Sequence, residues 1–401
     1  MTNKETTVTT VVTPVSAKEY AQAFSDLSKA KLSALVVSTS TFGFLAATSA
    51  TAPISFPTLA ALSLGTALCS SCASALNQIF ERDRDAIMKR TAQRPLVTQH
   101  HVDTSQAWTM AFFTGTGGAM TLYLGTDPIT TTLGVGNILL YSGLYTYLKP
   151  RSEWNTWVGA LVGAIPPVMG YSAATGGAGI FDIEAYLLGS TLFLWQFPHF
   201  FALSWMHRID YARGGFQMIA TTDNLNGDNT SRLITRYTWY LSAIPFITST
   251  FGVTSSMFAI EGMALNGYML YVAHRFDKDR SNANARKVFL TSLWYLPCWM
   301  ILFLLHSNTW KEANEDDKLT EDNLLQKWIR YIQEKTAEVR TSGRQICLHE
   351  IVISRNDEDE ESKLQSEREK VCPVTFGKST IQQSSGTMQA IPKRFKDVTG
   401  Q

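Results

Sequence analysis

The chain has 401 residues, 45% of them hydrophobic, and its 35 Lys and Arg against 34 Asp and Glu leave a formal net charge of +1. This balance excludes the strongly basic composition of a typical nucleic-acid-binding protein, so no nucleic-acid partner is expected. The acids are unevenly spread, since 17 of the 34 follow residue 306. Long apolar runs with few acids therefore fill the part of the chain before that point.

Residues 1–26 form a polar segment rich in Thr and Val. A mitochondrial transit peptide is usually rich in Arg and amphipathic, but the first arginine of this chain is Arg82. The N-terminal residues therefore do not indicate a target compartment.

Residues 27–306 contain recurring apolar stretches of the length that crosses a bilayer. They predict an all-α, polytopic membrane bundle of about nine transmembrane helices. The predicted spans are 32–51, 57–79, 106–124, 128–147, 157–174, 184–206, 237–254, 256–274 and 288–306.

The basic residues alternate from loop to loop. Those after the second, fourth, sixth and eighth spans contain Lys and Arg, whereas the connections near 52–56, 125–127, 175–183 and 255 contain none. By the positive-inside rule the basic loops face the cytoplasm or the mitochondrial matrix. All three polar clusters described next lie on that face.

The first polar cluster ends the second span and reads LNQIFERDRDAIMKRTAQRPL. On a helix, Asn77, Glu81 and Asp85 are four residues apart and share one face, and Arg90 and Arg94 follow. Carboxylates bind a hard cation through oxygen, and arginines bind diphosphate through forked hydrogen bonds. The alternative is a solvated helix end with salt-bridged charges.

Asp83 lies in the same cluster but points about 200° around the helix from Glu81, by the 3.6-residue period. We therefore leave Asp83 out of the predicted site.

The second polar cluster is WQFPHFFALSWMHRIDYARGG, in and after the sixth span. Pro198 predicts a kink or a broken backbone at membrane depth. His199 follows it, and an ionisable side chain inside a span is a functional candidate, although a satisfied structural histidine is equally common. Asp210, at the exit with His207 and Arg208, could complete a metal site with the two acids of the first cluster.

The third polar cluster is YTYLKPRSEWNTWVGALVGAIPPVMGY. Lys149 and Arg151 stand at a helix end, and Pro166 and Pro167 predict a distortion of the fifth span. Interfacial anchoring by Tyr, Trp, Lys and Arg would explain the same residues. Three such clusters on one face favour a site that binds a cation and a polyanion.

Residues 307–401 form a charged tail, predicted to be soluble and largely disordered, with an acidic block. An amphipathic helix is predicted at 323–340. A regulatory or docking role is open for this tail, because it shows no catalytic motif.

These segments resemble the motifs of UbiA-type intramembrane prenyltransferases. LSKAKLSALVVSTSTFGFLA and ARKVFLTSLWYLPCWMILFLLH fit as well, so the resemblance covers residues 27–306. Two departures keep their charges: the first span opens with Lys29-Ala30-Lys31 instead of a Lys-Pro-Arg type sequence, and Pro150 separates Lys149 from Arg151.

The resemblance implies a helix bundle around a central cavity. Within the family, the sequence most resembles the members that transfer a farnesyl group from farnesyl diphosphate to a vinyl group of heme B, giving heme O. That activity implies Mg²⁺ as cofactor, farnesyl diphosphate, heme B and the lipid bilayer as partners, and a downstream heme A synthase. It also implies the mitochondrial inner membrane, with the active site facing the matrix.

The resemblance also assigns roles to residues. Asn77, Glu81 and Asp85 match the first metal–diphosphate motif and Asp210 the second, with the three acids as metal ligands. The expected ligands of the diphosphate or of the heme propionates are Arg90, Arg94, Lys149, Arg151 and Arg208. The heme-binding candidates are His199 and His207.

Three other functions stay open at this point. The first is a UbiA-type enzyme acting on a quinone precursor or chlorophyll. The second is a membrane transporter or heme carrier, which would distribute its charges along a path through the bilayer. The third is an assembly scaffold that uses the tail.

Overall fold

The computed structural model describes residues 17–48, 54–98, 102–224 and 226–308. Within these ranges the regular structure is helical, and the β-structure is one isolated antiparallel bridge between Thr254 and Ser307. The predicted tail helix at 323–340 and the predicted disorder of the tail lie outside the described residues.

The helices follow one another through short connections. Their bounds are α1 Ala17–Leu27, α2 Ala30–Ala47, α3 Phe56–Ile87, α4 Pro95–Thr98, α5 Thr104–Gly125, α6 Pro128–Ile138, a π-helix Leu139–Tyr145, α7 Thr146–Leu148, α8 Asn155–Ala174, a 3₁₀-helix Ala178–Phe181, α9 Ile183–Met206, α10 Arg208–Arg213, α11 Ile219–Thr222, α12 Asp228–Thr250, α13 Ser256–Lys278 and α14 Asn282–His306.

Four of these helices, α2, α3, α8 and α14, are long and apolar enough to cross a membrane. The other long helices also coincide with predicted spans, but the count of about nine spans remains a prediction. The largest difference in length is in α3, which continues to Ile87 beyond the predicted end at residue 79. The motif from Asn77 to Asp85 therefore belongs to the same helix as the apolar run.

The prolines do not interrupt their helices. α9 continues through Pro198 and α8 through Pro166 and Pro167. Of the two alternatives predicted at Pro198, the broken backbone is therefore excluded, and the kink stays a prediction. A proline removes one backbone hydrogen bond, and the adjacent turns keep theirs. Packing of α9 against α8, α12 and α14 holds the helix together at this point.

Close packing of α2 on α8 depends on glycine. A Cβ at Gly43 would lie 1.9 Å from the Pro167 carbonyl oxygen, and one at Gly170 would lie 1.8 Å from the Ser40 carbonyl oxygen. Small residues allow helix backbones to approach in this way. This contact positions α2 beside α8, and the N-terminal end of α2 carries Lys29 into the site described below.

Candidate active site

The last turns of α3 bury one polar face. Asn77, Glu81 and Asp85 are 1%, 3% and 1% exposed, whereas Asp83 is exposed. The four-residue spacing therefore predicted the shared face correctly, and it separated Asp83 from it. Because these three side chains are buried, they do not form a solvated helix end. Buried ionised groups need charged or hydrogen-bonding partners, and the two acids have them.

Glu81 pairs with Lys149, which follows α7. The ammonium Nζ donates to both carboxylate oxygens of Glu81, at 2.8 and 3.0 Å. Desolvation disfavours the charge on Lys149, but the Glu81 carboxylate outweighs it and raises the pKa of Lys149 above its ordinary value. The backbone oxygen of Lys149 also accepts from Gln217 N–H at 2.8 Å, which joins this end of α7 to the segment after α10.

Asp85 pairs with Arg94, whose Nη1 binds Asp85 Oδ2. The other carboxylate oxygen, Oδ1, is buried and has no hydrogen-bond partner among the described residues. Thr91 Oγ1 donates to the Asp85 backbone oxygen at 3.0 Å and shapes the turn that returns Arg94 to α3. A free, buried carboxylate oxygen beside Glu81 is a ligand suited to a hard cation.

Lys29 joins the same group, a role that was not predicted from the sequence. Its Nζ donates to Asn77 Oδ1 at 2.9 Å and to the Tyr141 hydroxyl at 3.2 Å. Desolvation, then the charge of Arg94, lowers the pKa of Lys29 to about 7. The signal available in the sequence was a lysine directly before the first apolar run.

Asp210 does not join these acids. Its two carboxylate oxygens accept the backbone N–H groups of Lys89 and Arg90, each at 2.9 Å, and the hydrogen bond from Arg90 is the main reason that the pKa of Asp210 is lowered. Across the described ranges, no three His, Cys, Asp or Glu residues are grouped so that they could hold a metal. The expected grouping of Glu81, Asp85 and Asp210 is therefore not assembled, because α10 instead caps the turn after α3.

The other basic residues predicted for the site do not form ion pairs with the acids of α3. Arg90 Nη2 donates to the Tyr211 hydroxyl at 3.0 Å. Arg208 Nη1 donates to Asn282 Oδ1 at 2.9 Å, beside the start of α14. Arg151 lines an open recess of about 680 Å³ together with Glu81 and Arg84. Lys149 and Arg94 are thus the predicted cations that pair with the acids of α3.

A central cavity of about 330 Å³ lies next to this polar group. Its lining is mostly apolar and comes from α2, α3, α6, the π-helix, α8, α9 and α14. Tyr141 and Tyr145, on the π-helix, line this cavity, and they also lie against Lys29 and Lys149. The cavity therefore begins where the polar group ends.

His199 lines the same cavity. Its ring is stacked on Trp195, with centroids 5.0 Å apart, and Phe289 lies 4.7 Å away. Its Nδ1 is 2.8 Å from Ser292 Oγ, and that hydroxyl donates its single hydrogen to the Phe289 carbonyl at 2.6 Å. Ser292 must therefore accept from Nδ1–H, which leaves Nε2 of the neutral ring with a lone pair.

His207 is placed differently. It is half-buried at the C-terminal end of α9, and desolvation, then the charge of Arg90, lowers its pKa. It is not among the residues that line the central cavity. The two histidines of the motif, eight residues apart along α9, thus have different surroundings.

Comparison with known proteins places this arrangement in context. The model of the UbiA prenyltransferase family matches residues 36–301. The chain is 42% identical over 278 residues to the mitochondrial protoheme IX farnesyltransferase of Homo sapiens, covering 69% of this chain and 60% of that protein. It is 41% identical to the protein of the same name from Arabidopsis thaliana, covering 72% of this chain and 65% of that one. The match thus spans less than two thirds of these relatives.

Solved structures share the fold at low identity. A digeranylgeranylglyceryl phosphate synthase aligns with a TM-score of 0.60 at 12% identity, over 72% of this chain and 98% of that one. A UbiA homolog from Archaeoglobus fulgidus bound to DMAPP and Mg²⁺ aligns with a TM-score of 0.51 at 11% identity, over 71% and 99%.

Proposed function

The chain belongs to the UbiA prenyltransferase family, and we propose that it transfers the farnesyl group of farnesyl diphosphate to a vinyl group of heme B, giving heme O. The narrower assignment is supported by the 42% and 41% identity to protoheme IX farnesyltransferases.

One observation carries the proposal: the charged group on α3 adjoins an apolar cavity, and Tyr141 belongs to both. A prenyl diphosphate has the same two parts, a polyanionic head and a hydrocarbon chain. Lys149 and Arg94 would bind the head, and the cavity walls would bury the chain, which is favourable because apolar surface leaves water. A transporter is disfavoured, since the connections on the side opposite the α3 site, near 52–56, 125–127, 175–183 and 255, contain no Lys or Arg.

Mg²⁺ fits the donor set at this site. Glu81 and Asp85 offer hard carboxylate oxygens one helical turn apart, and Asp85 Oδ1 is buried without a partner. These two acids would hold the ion, and Asn77 would complete the face. Bound Mg²⁺ would supply positive charge against the diphosphate oxygens.

The chemistry follows from this arrangement. The bond between farnesyl C1 and the diphosphate oxygen breaks, and Lys149 and Arg94 stabilise the charge that develops on the leaving diphosphate. The terminal vinyl carbon of heme bonds to C1 of the allylic cation. Water then adds to the cationic carbon next to the porphyrin and releases a proton, which leaves a hydroxyl group. The apolar cavity keeps water from the allylic cation before the vinyl group reaches it.

His199 would orient the porphyrin. Its stacked ring and its Ser292 hydrogen bond fix both the rotamer and the tautomer, and the lone pair of Nε2 is the common donor to heme iron. The recess that Arg84 and Arg151 share with Glu81 would receive the propionates. The cavity and the recess are not lined by Arg90, Arg208 or His207, which would contact the substrate on its approach.

We also assign the protein to the mitochondrial inner membrane, with about nine spans and the α3 site facing the matrix. The relatives named mitochondrial and the Lys and Arg of alternate loops support this orientation. A downstream heme A synthase would consume the heme O.

The proposal is tested by expressing the chain in cells that lack their own heme O synthase and measuring heme O by mass spectrometry. Heme O is expected, and purified protein with farnesyl diphosphate should farnesylate heme B. A prenylated aromatic acid in a parallel incubation, without heme O, would replace the proposal by the quinone-precursor reaction.

A further inference from the structure

Gln196 lies in the wall of the central cavity, one turn of α9 before His199, which lines the same cavity. Its side chain is 95% buried, since the residue is 5% exposed. The amide Nε2 donates to the Ala160 backbone oxygen of α8 and to the Leu192 backbone oxygen of α9, each at 2.9 Å. Because both acceptors are carbonyl oxygens, they fix the NH₂ end of the amide and with it the position of the amide oxygen.

The amide oxygen of Gln196 has no structural use of this kind. Among the residues that the structure describes, none donates a hydrogen bond to Oε1. A Cβ at Gly163 would lie 2.2 Å from this oxygen, so the amide occupies space that only a glycine leaves open, and Gly163 lines the cavity as well. A buried acceptor without a protein partner beside a cavity indicates a bound polar molecule.

The depth of Gln196 in the bundle follows from two glycines of α8. A Cβ at Gly159 would lie 3.0 Å from the Tyr145 ring, and Gly163 follows one turn later against Gln196. Tyr145 in turn lies against Lys149, whose Nζ is 5.2 Å from the ring centroid. Gln196 is therefore about 6 Å, one helical turn, deeper than the place where the leaving diphosphate would bind.

The proposed reaction needs one water molecule in its second step. After the terminal vinyl carbon bonds to farnesyl C1, the positive charge lies on the carbon next to the porphyrin, and water adds there. The cavity lining is mostly apolar, so a water molecule stays in it only where it finds polar partners. Without a water in place, the neighbouring CH₂ group loses a proton instead, and the product is an alkene.

We propose that Gln196 Oε1 holds the water that adds to this cation, which makes Gln196 a positioning residue of the reaction. This inference rests on the proposed function, to which it adds a residue for the second step. The water donates one hydrogen to Oε1 and directs a lone pair at the cationic carbon. Both electrons of the new C–O bond come from the water oxygen, and the proton passes to an oxygen of the diphosphate released in the first step.

The test compares the hemes made by the full-length wild type and by Gln196→Leu in cells that lack their own heme O synthase. Mass spectrometry separates heme O from the alkene product, which is lighter by one water. In Gln196→Leu the ratio of alkene to heme O should rise by about tenfold, because one hydrogen bond to the water is lost and the competing loss of a proton is not slowed. A residue that only supports the fold would lower both products together.

Gln78 offers the matched control. It is 1% exposed, and its Nε2 also donates to two backbone oxygens, that of Asp26 at 3.1 Å and that of Leu27 at 2.8 Å. Gln78 does not line the central cavity. Gln78→Leu should therefore keep the wild-type ratio of alkene to heme O, even where the total amount of product falls.

A second variant moves the amide without replacing it. Gly163→Ala adds a methyl group where Gln196 Oε1 lies and should raise the ratio in the same direction. A wild-type ratio in Gln196→Leu would overturn the inference and leave Gln196 as a link between α8 and α9. If Gln196→Leu makes neither product, Gly163→Ala decides, and anything other than a raised ratio there overturns the inference. If the wild type itself makes no farnesylated heme, the proposed function fails instead.

Discussion

Two charged, hydrogen-bonded clusters lie at opposite ends of the bundle. The first, the α3 cluster, consists of Lys29, Asn77, Glu81, Asp85, Arg94 and Lys149. The second, the α14 cluster, consists of Ser255, Glu261 and His306. α14 begins beside Arg208, near the end of α9, and its far end carries His306, so the two clusters are separated by the length of the helices.

The α14 cluster is closed on itself. His306 Nδ1 lies 3.0 Å from Ser255 Oγ, and Nε2 lies 3.0 Å from Glu261 Oε2. Ser255 N–H donates to the His306 backbone oxygen at 2.9 Å, which ties the start of α13 to the end of α14. Both ring nitrogens of the histidine are occupied, so this cluster joins helix ends.

The α3 cluster and the cavity beside it keep unused groups instead. Asp85 Oδ1 is buried without a partner in the described ranges, and His199 Nε2 keeps its lone pair. A folded protein satisfies most buried polar groups, so groups left over beside a cavity indicate a ligand. The two clusters therefore differ in unused hydrogen-bonding capacity, which the α3 cluster keeps and the α14 cluster does not.

The largest effect is expected for Glu81→Gln, compared with Glu261→Gln in the α14 cluster. Glu81→Gln removes a carboxylate that would hold the metal and leaves Lys149 unpaired, so heme O formation should fall by about 100-fold or more. Glu261→Gln should leave it within about twofold of wild type, since a surface charge contributes little. Heme O is measured by liquid chromatography and mass spectrometry.

Misfolding is controlled by a double variant. Glu81→Gln with Lys149→Met removes both partners of the pair, which should recover stability lost in the single variant without recovering activity. Wild-type heme O production by this double variant would contradict the role of the carboxylate and remove the distinction between the clusters.

The two histidines give the second prediction. His199→Ala should lower heme affinity by about tenfold or more and shift the Soret band, because the proposed iron ligand is lost. His306→Ala should leave the affinity and the spectrum unchanged, since both of its ring nitrogens already have protein partners. An unchanged Soret band in folded His199→Ala would show that the histidine only fills space between Trp195 and Phe289.

At the α14 cluster, a substitution should lower the stability of the protein and leave its activity unchanged. His306→Ala removes two hydrogen bonds, so the free energy of unfolding should fall by about 1–2 kcal/mol with heme O formation unchanged. Thermal unfolding in detergent measures this. A loss of activity without a loss of stability would mean that the α14 cluster also has a ligand.

The sequence predicted the local geometry well. A four-residue spacing on α3 identified Asn77, Glu81 and Asp85 as one face, and helical periodicity excluded Asp83. These conclusions need only the period of a helix. The positions of the long apolar helices also follow from composition, because a run of apolar residues must be buried in protein or lipid.

What the sequence did not show depends on how helices pack. Lys29 reaches Asn77 across 48 residues, and its left-handed backbone gives no pattern in a single sequence. A kink or a broken backbone was predicted at Pro198, and neighbouring helices keep α9 continuous there. The same limit applies to Asp210: an acid on the correct membrane face was within reach of α3, but its partners are backbone N–H groups that carry no sequence signal.

The smallest effect, on Asp210, decides to which kind of cluster this residue belongs. The hydrogen bonds from Arg90 and Lys89 N–H lower the pKa of Asp210 in the folded protein, so its contribution to stability is present above the ordinary aspartate pKa of about 3.9 and is lost as pH falls below that value. Asp210 is half-buried and its partners are two backbone N–H groups, so Asp210→Asn should cost about 1 kcal/mol at pH 7 and less near pH 3. Unfolding at both pH values measures this. If Asp210 only caps the turn, the Mg²⁺ concentration for half-maximal heme O formation stays at its wild-type value; a rise of about tenfold or more would make it a metal ligand and would require α10 to move towards Glu81 when substrate binds.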